Sequence, residues 1–126
     1  MSSPMSRMIY TLVLLSVAFW NDPVSAHTHL LGSLPEKGQT LRKELKSIIL
    51  KLSEKAEPRF SKIEVISEST QKHVESGQPV LTEDGHNYLE VRLLQPLAPG
   101  NYHVKWNVTS VDTHKSHGEF DFSYAP

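Results

Sequence analysis

Two short clusters of nitrogen and oxygen donors stand at opposite ends of this sequence, His27-Thr28-His29 and Asp112-Thr113-His114. The chemistry of the first depends on whether His27 is a first residue. Arg7 supplies a positive charge, Met8 to Trp20 is mainly apolar, Asn21-Asp22-Pro23 ends the run, and Val24-Ser25-Ala26 is a small-residue cleavage signal. That is the pattern of a secretory signal peptide over residues 1–26, cut after Ala26. The apolar run is shorter than the roughly 20 residues a membrane span needs. The processed chain, residues 27–126, is therefore expected to be exported, without membrane insertion.

Cleavage would give His27 two metal-binding nitrogens, its α-amine and ring Nδ1, able to close a six-membered chelate on one ion. Once one nitrogen is bound, the second meets the metal at a high effective concentration. Both must lose protons to bind, so affinity should fall with pH. Asp112 and His114 offer the rest of a four-coordinate set. On an extended segment, residues two apart project to the same face, so both are expected to point at one ion. An amine, two imidazoles and a carboxylate suit copper(II), which leads the divalent affinity series and favours tetragonal nitrogen and oxygen sites. A second arrangement competes for the same amine. Histidine third from a free N-terminus lets amine, two deprotonated amides and the His29 ring wrap copper(II) or nickel(II) in a plane. That clamp needs free amides at Thr28 and His29, and a strand beginning at Leu30 would restrain them. The His27, Asp112 and His114 set is preferred, with His29 at its rim or as an extra ligand.

Composition narrows the chemistry further. There is no cysteine, and all three methionines (Met1, Met5, Met8) precede the cleavage point. Soft copper(I) is held by thiolate and thioether, and the processed chain has neither. Removing 26 of 126 residues leaves 100, one domain's worth. The formal charge of −1 is unchanged, because Arg7 and Asp22 leave together. With no basic field, neither nucleic acid nor an anionic membrane is an expected partner.

The elements that must position these donors read as strands. Tyr102 to Val108 carries large apolar residues at every second position, and Phe120, Phe122 and Tyr124 alternate likewise. Leu89, Val91 and Leu93, and Ile63 and Val65, repeat the pattern. Turn signals fall at Pro35-Glu36-Lys37-Gly38, Gly77-Gln78-Pro79, Pro96 through Gly100, and Gly118. Short alternating segments between frequent turns indicate an all-β sandwich or barrel. One stretch dissents: Leu41, Leu45, Ile48, Ile49 and Leu52 sit at helical spacing.

Taken in order, these residues resemble the CopC family of periplasmic copper-binding proteins. The resemblance runs along nearly the whole processed chain: His27, the Pro35–Gly38 turn, Leu52-Ser53-Glu54, Phe60 to Val65, Leu97-Ala98-Pro99-Gly100-Asn101-Tyr102-His103-Val104-Lys105-Trp106, then Ser110-Val111-Asp112-Thr113-His114, Gly118 and Phe122. It implies an immunoglobulin-like Greek-key β-sandwich of about seven strands, with Ser47 to Ser53 a strand despite its helical spacing. It implies a tyrosine-corner contact at Tyr102, a core position for Trp106, and His27, Asp112 and His114 as ligands of one copper(II) per chain. Glu54 matches a position near that site. Lys55-Ala56 departs from the family's usual Pro-Val, and no methionine-rich copper(I) site can be built.

The resemblance implies a monomeric, non-enzymatic copper carrier or buffer for copper homeostasis and resistance. Its expected partner is a CopD-like inner-membrane copper transporter. Two other classes stand beside it. A histidine brace resembling that of copper monooxygenases would make it an enzyme, although Asp112 and His114 would crowd the oxygen position. An immunoglobulin-like interaction module would make the histidines incidental. His73 reads as exposed surface, His103 as an outward-facing strand residue, and His117 as surface near the site's rim.

Overall fold

The computed structural model describes residues 29–82 and 87–126. Among the described residues, eight strands form two four-stranded sheets. They are β1 (Leu30–Leu34), β2 (Thr40–Leu41), β3 (Ser47–Leu52), β4 (Lys62–Ser67), β5 (Glu75–Leu81), β6 (Tyr88–Leu93), β7 (Gly100–Thr109) and β8 (Lys115–Tyr124). One sheet has the order β1-β3-β6-β5, the other β2-β8-β7-β4. The first corresponds to strands A, B, E and D of an immunoglobulin-like sandwich. The last three of the second correspond to G, F and C. The expected count of about seven becomes eight because the two-residue β2 pairs parallel with the end of β8.

The core follows from strand alternation. Tyr102, Val104, Trp106 and Val108 of β7 turn inward beside Phe120 and Phe122 of β8, and meet Ile48, Leu50, Leu52, Leu89, Val91 and Leu93 from the other sheet. The helical spacing of Leu41 to Leu52 is overridden here. Ile48, Leu50 and Leu52 are buried at period two because β3 lies between β1 and β6. Leu41 and Leu45 pack on the core from the segment before it. Tertiary pairing outweighs a propensity worth only tenths of a kcal/mol per residue.

Tyr102 donates its hydroxyl proton to the Ala98 carbonyl, the expected tyrosine corner, and its ring stacks on Phe122 at 5.2 Å. Two glycine signals differ from their reading as turns. Gly118 lies inside β8, directly opposite Trp106. Gly77, with φ of 79°, and Pro79 lie inside edge strand β5, where the pairing with β6 shifts register between Ser76 and Val80. An edge strand with a bulge is where a strand tolerates proline.

Candidate metal centre

The β7–β8 hairpin runs as an unbroken antiparallel ladder from Gly100↔Tyr124 to Thr109↔Lys115, leaving residues 110–114 as its turn. Asp112, Thr113 and His114 are thus on a turn and not on the extended segment expected. Strand alternation does not bring the two donors together. Thr113 takes a left-handed backbone, φ 76°, and donates its amide to the Ser110 carbonyl at 2.9 Å. The fold of the turn then sets Asp112 Oδ2 3.0 Å from His114 Nδ1.

That gap suits either a shared proton or a shared cation. Ligands bonded at about 2.0–2.1 Å and lying at right angles on one ion are about 2.9 Å apart. Both side chains are solvent-accessible, so an ion can reach them without opening the fold.

Ser110 is the supporting residue that sequence reasoning left without a role. It is 1% exposed, and its hydroxyl donates to Asp112 Oδ1. The His114 amide lies 3.4 Å from the same oxygen. These contacts, the Ser110 hydroxyl first and the His114 side chain next, lower the Asp112 pKa to about 2. The carboxylate therefore stays charged throughout the neutral range, and release of a bound cation on acidification is governed by the nitrogen donors. The Ser-x-Asp spacing was the available signal, since a serine two residues ahead of an aspartate in a tight turn is placed to hydrogen-bond it. Ser110→Ala is expected to raise the Asp112 pKa towards the ordinary carboxylate value. NMR titration of the Asp112 side-chain carbon checks this, and an unmoved midpoint would show that the hydroxyl does not set it.

The turn rests on the bend after β3. Ala56 and Ser110 form an isolated β-bridge, and the Val111 amide donates to the Lys55 carbonyl at 3.0 Å. A short 3₁₀ helix, Pro58–Phe60, follows, and the Ser61 hydroxyl ties it to β7 by accepting from the Thr109 amide at 3.1 Å. Glu54 stands on this bend, half-buried, one residue before Lys55. His29 meets the other end of the same bend. Its amide donates to Ser53 Oγ at 2.7 Å, and its carbonyl accepts from the Ser53 amide at 2.8 Å. The planar N-terminal clamp would have to take the His29 amide away from Ser53. His27 and the signal segment lie outside the described residues. His117 lies on β8 opposite Asn107, beside the exposed Phe60 in a shallow groove.

The CopC domain model matches residues 30–125. The chain belongs to the CopC family. Protein YobA of Escherichia coli (strain K12) is 30% identical over 123 residues, covering 98% of each chain. CopC from Methylosinus trichosporium OB3b superposes with a TM-score of 0.71 at 27% identity, over 79% of this chain and 95% of its own. PcoC, a methionine-rich copper resistance protein from Escherichia coli, shares the fold at a TM-score of 0.69 and 23% identity, over 79% of this chain and all of its own. No described helix of this CopC-family chain is long and apolar enough to cross a membrane.

Proposed function

We propose that this chain is a periplasmic, non-enzymatic copper(II) carrier or buffer. One ion is held by the α-amine and ring of His27, by Asp112 and by His114, for delivery to a CopD-like membrane transporter. The observation that carries this reading is the pair of an ionised carboxylate and an imidazole nitrogen 3.0 Å apart on an accessible turn. Membership of the CopC family and the absence of sulfur ligands after Met8 support it. The chain's path supports it as well. His29 and the Ser110–His114 turn contact the same four-residue bend, Ser53 to Ala56. His27 is two residues from His29, a reach of about 7 Å.

The test is a copper(II) titration followed by EPR, on protein whose first residue is verified as His27. One tight equivalent with a three-nitrogen hyperfine pattern is expected. The same titration on protein retaining Ala26 should lose that signal, because the amine then belongs to another residue. Equal affinity in the two forms would overturn the assignment.

A further inference from the structure

A second group of donors lies where the β7–β8 hairpin meets the turn after β4. Ligand atoms of Glu68, His103 and Asp121 all fall within 4.8 Å of one another, on the outer face of the β2-β8-β7-β4 sheet. We propose that these three residues form a second site for a divalent first-row cation, held by one imidazole nitrogen and two carboxylate oxygens. Ligands on one ion at about 2.0–2.2 Å are at most about 4.4 Å apart. The group is therefore near the span of one ion's ligand shell, and closing the site takes side-chain adjustment on backbone positions that the sheet already sets.

The three donors come from separate elements, each fixed by its own backbone bonds. His103 of β7 and Asp121 of β8 are directly opposed in the ladder. Glu68 begins the turn after β4, and its amide donates to the Asn101 carbonyl at 3.0 Å. Gln71, at φ 58°, holds that turn by donating from Nε2 to the Glu68 carbonyl at 2.8 Å. A fourth group supports the imidazole. Nδ1 of His103 contacts Asp121, while Nε2 lies 3.2 Å from Glu119 Oε2. Metal-bound histidines commonly carry a carboxylate on the second ring nitrogen, which fixes the ring's orientation.

Charge favours a cation over a satisfied ion pair. Glu68, Glu119 and Asp121 face His103 and Lys105, while Glu64 on neighbouring β4 is matched by Lys62 at 3.0 Å. The carboxylates outnumber the bases even when the imidazole is protonated. The Asp121 hydrogen bond, with Glu119 contributing, raises the His103 pKa above its ordinary value, so a cation competes with a proton for this ring. Along β7, Thr109 lies six residue steps beyond His103, about 20 Å at strand spacing, so the site is independent of the hairpin turn.

The test is calorimetric titration of the processed chain with zinc(II), in wild type and in His114→Ala. One zinc equivalent should persist in His114→Ala and weaken more than about 10-fold in His103→Gln, with the parent melting temperature kept. Asp121→Asn should weaken it likewise, and decides the matter if His103→Gln unfolds. Zinc binding that both variants leave unchanged, or none in His114→Ala, would overturn the site. The tight copper(II) equivalent should be untouched by His103→Gln, so this site and the proposed function can fail separately.

Discussion

Alanine in place of His114 is expected to weaken copper(II) binding by more than about 100-fold, while His29→Ala leaves it within a few-fold. Loss of partners that only orient a metal ligand costs about 10–100-fold, and removal of a ligand should exceed that. Asp112→Ala should fall between the two, since one weak oxygen donor is lost while the chelate at the chain start is kept. The pattern separates the folded site from the N-terminal clamp. In the clamp His29 is indispensable and His114 irrelevant. Forming the clamp would have to break the bond from the His29 amide to Ser53. Competition with a chromophoric copper(II) chelator measures all three variants on one scale. A large loss in His29→Ala with an unaltered His114→Ala would reverse the reading.

Gly118→Ala is expected to destabilise the domain severely for a single methyl group. A Cβ at this position would sit 2.5 Å from Trp106 Cζ2, 2.7 Å from Cε2 and 2.9 Å from Nε1. The indole is 5% exposed and cannot swing aside into solvent. Overpacking of this kind costs about 1–3 kcal/mol. For a domain of 60–100 residues each kcal/mol lowers the melting temperature by about 4–8 °C, so a fall of about 5–20 °C should be seen by circular dichroism. Trp106→Leu supplies the control. It destabilises by itself, but Gly118→Ala should cost less than half as much on that background, because the two residues interact directly. A Gly118→Ala protein that melts with the parent would show that the sheet yields locally.

β7 and the second half of β8 were legible in the sequence because large apolar residues alternate there with polar ones. β3 was not legible from pattern. Its apolar residues satisfy a period of 3.6 as well as a period of 2, and only its place between β1 and β6 decides between them. Gly77 and Gly118 misled in different ways. The first serves a bulge and the second makes room for an indole, and neither need can be read from a single chain. At the candidate metal centre the sequence offered donor types but not their geometry. Asp112 and His114 meet through a left-handed Thr113, where strand alternation was expected. The support from Ser110 depends on burial that only the folded bend after β3 creates. The outer-face group was hidden for a simpler reason. Glu68, His103 and Asp121 are each ordinary surface residues until sheet order sets them side by side.

The irregular middle of β5 bears on how this protein behaves when crowded. A flat outermost strand offers its unpaired amides and carbonyls to any similar strand, and chains so joined can grow into fibres. On this flank the left-handed Gly77 and the donor-less Pro79 interrupt the row between Ser76 and Val80. An incoming chain could dock on one short stretch but not zip past it. Substitutions that straighten residues 77–79, leaving the interior untouched, are the shortest route to a variant that folds normally and then polymerises.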